Sequence, residues 1–206
     1  MRGNQLICQD CQREFVEDIK ARYCICGGIL IIKTRKNVFN QDWIDENNRS
    51  MWKFQRVLSV QGDLREWEHV SLGEGNTALD KLDSDNEHIY LKLEYNSPST
   101  SYIDRSSALL VTKLKEQEIT KIIFTTANYM ILSIAKYAKQ ATIPCELLLL
   151  EIGSSKLIKE LENEDVIINH SVYQQEIPQD NGFFIVTDNH PYLIEGAKTF
   201  AYEIWD

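Results

Sequence analysis

Four of the five cysteines fall within the first 26 residues, as Cys8, Cys11, Cys24 and Cys26, in a C-x2-C-x12-C-x-C pattern. Two close pairs separated by about a dozen residues suit tetrahedral thiolate ligation, each pair on a tight turn with a short ribbon between them. Gly27-Gly28 follows the second pair and supplies the permissive backbone such a knuckle needs. Two disulfides or four incidental thiols are the alternatives. Disulfides are disfavoured in a cytosolic chain, and paired spacing is a fairly specific signal for a zinc ribbon. The second pair is tighter than the commonest C-x2-C. Four thiolates leave zinc no open coordination position, so the expected role is structural. Cys145, at the start of the apolar run Cys-Glu-Leu-Leu-Leu-Leu, reads as a buried, inert thiol.

The 22 basic and 31 acidic residues give a net charge of −9, which argues against a uniformly basic nucleic-acid binder and leaves a solvated acidic surface as the expectation. Apolar runs such as Ile29 to Ile32 and Leu147 to Leu150 are far shorter than the roughly 20 residues that span a bilayer. Met1-Arg-Gly-Asn-Gln leads into no signal-type stretch, so a cytoplasmic, non-membrane chain is the default.

After a strand at 29–33, residues 34–70 are polar, with helical stretches expected at Trp43 to Asn48 and Met51 to Leu58, and 78–88 reads as a polar loop. From residue 89 the chain alternates. Strands are expected at Ile89–Leu93, Lys121–Thr125, Cys145–Leu150, Val166–Ile168 and Phe183–Val186. Helices are expected at Ser106–Gln117, Asn128–Gln140, Ser154–Glu162 (capped by Ser154 or Ser155) and Pro191–Trp205, with proline harmless in the last helix's first turn. Such alternation predicts βαβ units and a mostly parallel sheet. The expected organisation is a zinc ribbon over 1–33, a linker and helical segment over 34–88, and an α/β domain over 89–206. His69, His88, His170 and His190 show no ligand spacing, and neither a G-x-G-x-x-G nor a Walker-type loop occurs.

Several segments, taken in order, resemble threonine synthase and its relatives among the fold-type II pyridoxal-phosphate (PLP) enzymes. Cys26-Gly-Gly is similar to the end of that family's N-terminal ribbon. Val70-Ser-Leu-Gly-Glu-Gly-Asn-Thr-Ala-Leu79 resembles its LGEGNTPL segment, with Ala78 where proline is usual. Lys92-Leu-Glu94 and Pro98 to Arg105 resemble its K-x-E and N-P-T-G-S-F-K-D-R motifs, Thr125 to Asn128 its S-S-G-N loop, and Asn189 to Thr199 with Glu203-Ile204 its NPYRIEGQKT…EI stretch. The resemblance implies the fold of the N-terminal half of these enzymes.

The departures bear on function. At the position of the family's Schiff-base lysine stands Ile103, with Asp104-Arg105 fixing the register, and isoleucine has no amine. Lys92 matches the K-x-E lysine instead. Thr100 and Ala127 replace family glycines, while Asn128 matches the asparagine that contacts the PLP ring hydroxyl and is a vestigial cofactor-binding residue. The chain ends before the family's glycine-rich phosphate loop and pyridine partner. These departures imply no catalytic residues, structural zinc as cofactor with PLP not expected, and a degenerate, non-catalytic partner, scaffold or regulatory subunit. Half a sheet with an open edge implies a homodimer or a separate protein subunit. One half of a split PLP enzyme completed by a second chain, or a small-molecule binder at the old cofactor cleft, are the alternatives.

Overall fold

The computed structural model describes residues 5–33, 40–60, 69–82, 88–148, 154–169 and 182–206. Its first element is a three-stranded antiparallel ribbon of β1 (Gln5–Cys8), β2 (Glu14–Val16) and β3 (Leu30–Ile32), in the order β2-β1-β3. Alternation along β1 and β3 buries Leu6, Cys8, Leu30 and Ile32 on one face, and these join the same apolar cluster as the helices that follow. The α/β layer is a four-stranded parallel sheet of β6 (Lys121–Phe124), β7 (Cys145–Leu148), β8 (Ile167–Asn169) and β9 (Phe183–Ile185), in the order β8-β7-β6-β9. It is flanked by α1 (Ile103–Glu116), α2 (Tyr129–Gln140), α3 (Ser155–Asn163) and α4 (Pro191–Trp205). The α/β expectation with a parallel sheet is met.

Helix α1 is buried on nearly every side, with Leu109, Leu110 and Leu114 inaccessible to solvent. Burial of each such side chain is worth about 1.5–3 kcal/mol. Its closest neighbour is α4. Gly196 makes the crossing possible, because a Cβ there would lie 2.4 Å from the Arg105 carbonyl oxygen. Helix α4 also meets β3 and the segment before Leu58, so more than one of its faces has a neighbour, as its dispersed apolar residues predict. Ile204 and Trp205 at its end remain exposed.

Several elements differ from expectation. The strand expected at Ile89–Leu93 is β5 (Tyr90–Lys92), and it lies outside the parallel sheet. It pairs antiparallel with β4 (Leu79–Lys81), inside the stretch read as loop. An apolar run specifies a strand but not its partner, and closing a short local hairpin costs less chain entropy than reaching a distant sheet. The segment Met51–Val57 is a 3-10 helix, started by the Ser50 hydroxyl accepting from the Trp52 N–H, and the helix expected at 43–48 is a single 3-10 turn at Gln41–Trp43. Helix α1 begins three residues before Ser106, with Asp104 in its first turn, where the helix dipole favours a carboxylate. Ser154 precedes α3 without a side-chain capping bond. Leu149, Leu150 and His170 lie outside the described residues.

Candidate functional site

The ribbon gathers the four cysteines. Their sulfur atoms all lie within 4.8 Å of one another, with Cys8–Cys26 at 3.5 Å and Cys11–Cys24 at 3.6 Å. A tetrahedron with metal–sulfur bonds of about 2.3 Å has sulfur–sulfur edges of about 3.8 Å, whereas a disulfide needs about 2.05 Å. No pair is bonded, and the donor set fits one thiophilic cation. Both glycines of the second knuckle are required. Gly27 has φ +90°, and a Cβ at Gly28 would sit 2.6 Å from the Cys8 sulfur. The Cys8 thiol is lowered to about 7, chiefly by the backbone N–H of Cys11. Cys145 lies apart and buried, and burial pushes its thiol up to about 12, as an inert core cysteine requires.

The knuckles are tied to the α/β layer by the segment between the two pairs. Glu17 reaches the buried Lys113 ammonium of α1 at 3.0 Å and accepts from the Tyr192 hydroxyl of α4. The His190 Nε2 lies 2.7 Å from the Ile19 carbonyl oxygen, and its Nδ1 accepts from the Tyr192 N–H to cap α4. With Nε2–H donating and Nδ1 accepting, the ring is neutral. Burial holds its pKa down to about 4.

The second candidate region follows from sheet topology. The chain runs β6, β7, β8 in one direction and returns with β9 on the other side of β6, so the switch point lies at the carboxyl end of β6, where open α/β sheets hold ligands. Thr125 and Thr126 are exposed there, and Asn128 leads into α2. The Asn128 side-chain oxygen accepts from the Ile131 N–H at 3.0 Å, so it serves as the helix cap. The first turn of α1 packs against α2 through Asp104, which accepts from the Ser133 hydroxyl at 2.6 Å and from the Ser99 N–H at 2.6 Å. Ile103, half-buried, opens that turn and presents a hydrocarbon. Thr100, in the preceding loop, has φ +60°, so a β-branched residue occupies the left-handed conformation glycine adopts freely.

Lys92 is the amine of the K-x-E motif, and it is committed. Its ammonium lies 2.8 Å from Glu203 and donates to the Thr77 carbonyl. Glu203 also receives Arg105 at 2.6 and 2.7 Å, and Arg105 reaches Glu94 at 2.8 and 2.9 Å. Burial works against the Glu203 charge, but the hydrogen bonds and charge of Arg105, with help from Lys92 and the Asn76 N–H, outweigh it and bring that carboxyl to about 2. Two cations thus face two carboxylates, joining the β4–β5 hairpin, α1 and the end of α4. Glu74 is separate and fully buried. Burial raises it to about 7 despite bonds from the Leu72 N–H and the Tyr137 hydroxyl. The sequence pattern named Lys92, Glu94, Arg105 and Glu203 without their partnership. Glu17 and Lys113 carried no sequence signal, because each finds its partner on a remote element, and the motif segments that contain Glu74 and His190 did not state the Tyr137 and Ile19 contacts these residues make.

A family model described as pyridoxal-phosphate dependent enzyme matches residues 70–206. The chain belongs to that family. It is 24% identical to the threonine synthase of Methanocaldococcus jannaschii over 97% of its own length and 53% of the relative's, and 30% identical to that of Bacillus sp. over 66% and 43%. The threonine-synthase-like resemblance read from the motifs is therefore met. The chain spans about half the length of these curated relatives. Among solved structures, Escherichia coli diaminopropionate ammonia lyase in its apo form superposes with TM-score 0.51 and 13% identity, over 66% of this chain and 48% of that one, a likeness of fold.

Proposed function

We propose that this chain is a catalytically degenerate, threonine-synthase-like protein that acts as a non-catalytic partner or regulatory subunit in the cytoplasm. The observation that carries the reading is Ile103. It opens the first turn of α1 at the position the motif gives to the Schiff-base lysine, and the adjoining Asp104 and Arg105 are pinned by Ser99, Ser133, Glu94 and Glu203, which holds the register. PLP anchored in that way needs an amine, and the residues of this region do not fit it. Lys92 is engaged by Glu203, and the Asn128 amide oxygen is spent on capping α2. The motif residues that persist act as a structural ion cluster, which a chain released from catalysis still needs in order to fold.

The four thiolates are read as holding one structural zinc ion, and no step of chemistry is assigned to it. Among the described residues, no helix is long and apolar enough to cross a membrane. The test is spectroscopic. An internal aldimine absorbs in the visible, so titrating the protein with PLP is expected to give the spectrum of free cofactor. A saturable shift of the absorption with one site per chain would refute the proposal.

A further inference from the structure

Among the described residues, the β4–β5 hairpin is thinly covered on its apolar positions. Leu79, Leu82, Ile89, Tyr90 and Leu91, which lie in or directly beside the two short strands, are 37–54% exposed. A lone two-stranded hairpin is marginal in water and gains most from added strands. Its two edges are not equivalent. β4 presents Asp80 and Lys81 along its length, the charged guard that keeps an edge from pairing. β5 presents Tyr90 and Leu91, with Ile89 directly before them, and its one charge, Lys92, is already neutralised by Glu203.

We infer that β5 is a self-association edge, and that its occupant is β5 of a second copy, paired antiparallel about Tyr90. Symmetry and charge select that register. A two-fold axis through an antiparallel pair leaves each side chain on its own face, so one residue must sit opposite its own copy. On β4 an axis at Asp80 or Lys81 sets like charges directly opposite each other, which destabilises a strand pair, and an axis at Leu79 would need the main-chain groups of Thr77, which Glu203 and Lys92 already hold. On β5 the residue on the axis is Tyr90. The Leu82 N–H donates to the Ile89 carbonyl and the Leu93 N–H to the Ala78 carbonyl, both at 2.9 Å, so 89, 91 and 93 turn their main-chain groups inward and Tyr90 turns its own outward. Tyr90 then exchanges two hydrogen bonds with its copy, and Ile89 lies opposite Leu91 on the other face. No like charges meet. The four-stranded sheet so formed carries Leu82, Ile89 and Leu91 of both copies along one face. The second copy is the partner in the reading above. Ile103 takes no part in the strand pairing, so a failed dimer and a cofactor-loaded chain are separate results.

The experiment is light scattering on the full chain at micromolar concentration, where the protein is expected at twice its chain mass. Tyr90→Lys and Tyr90→Glu each oppose like charges across the axis and are expected at the single-chain mass, with unchanged circular dichroism. An equimolar mixture of the two is expected to recover the double mass, because lysine then faces glutamate. Asp80→Lys, on the other edge, is expected to leave the dimer intact. A monomeric parent protein, a dimer that both Tyr90 variants leave untouched, or a mixture that stays monomeric would overturn the pairing.

Discussion

Lys113 gives the sharpest test of how the ribbon is joined to the α/β layer. Its side chain is fully buried on α1, and its ammonium faces Glu17 of the ribbon at 3.0 Å and Glu116 at 2.5 Å, with the Tyr192 ring 5.2 Å away. Removing one partner of a buried ion pair costs about 3–5 kcal/mol, because the remaining charge stays out of water. Glu116 survives in Glu17→Ala, which places the expected loss near the lower end, at about 3 kcal/mol. The Lys33–Glu14 pair, at 2.6 Å with side chains 38% and 48% exposed, is the comparison. Such surface pairs are worth about 1 kcal/mol or less. Chemical unfolding of Glu17→Ala, Lys113→Met and the double variant gives the coupling, expected at about 1–3 kcal/mol for groups in direct contact. The same cycle on Glu14 and Lys33 should give about 0.5 kcal/mol. Equal couplings for the two pairs, or a Glu17→Ala no weaker than Glu14→Ala, would refute the view that Glu17 locks the ribbon onto α1 and α4.

Chelation of a protein with one zinc per chain is expected to release four reactive thiols and the order of the ribbon, and Gly28→Ala is expected to lower zinc content, since its Cβ would press on the Cys8 sulfur; elemental analysis and thiol titration read both. Thr100→Gly is expected to stabilise by about 1 kcal/mol in thermal unfolding, because it relieves a β-branched residue at φ +60°. From pH 7 to pH 5 two buried groups act in opposite senses. The His190 pKa, lowered from 6.5 to about 4, means that the unfolded chain binds the proton first, which removes about 2 kcal/mol of stability as pH falls; Glu74, raised from 4.5 to about 7, binds its proton first in the folded state and returns about 2 kcal/mol over the same range. The parent protein should therefore be nearly flat between these pH values, while Glu74→Gln should lose about 2 kcal/mol on acidification; a flat Glu74→Gln profile in urea would count against the assignment.

Much of the architecture was legible because it rests on local patterns. The cysteine spacing is carried by two knuckles whose geometry depends on adjacent glycines, so Cys8, Cys11, Cys24 and Cys26 converge as the sequence predicts. The parallel strands and their helices follow from apolar periodicity, which is set within each segment. Partnership is what the sequence concealed. Tyr90 to Lys92 reads as a strand, yet nothing in those residues states that Leu79 to Lys81 is its neighbour. Glu17 and Lys113 are 96 positions apart, and either one alone reads as a surface charge. Lys92 would be mistaken for a free amine without Glu203 beside it.

The account turns on the missing amine, and reductive labelling tests it most directly. The protein is incubated with PLP, reduced with borohydride, digested and mapped by mass spectrometry. No lysine is expected to carry a stoichiometric pyridoxyl group, with only scattered, substoichiometric modification of exposed lysines. One stoichiometric adduct per chain, at Lys92 or at any other single lysine, would contradict the account.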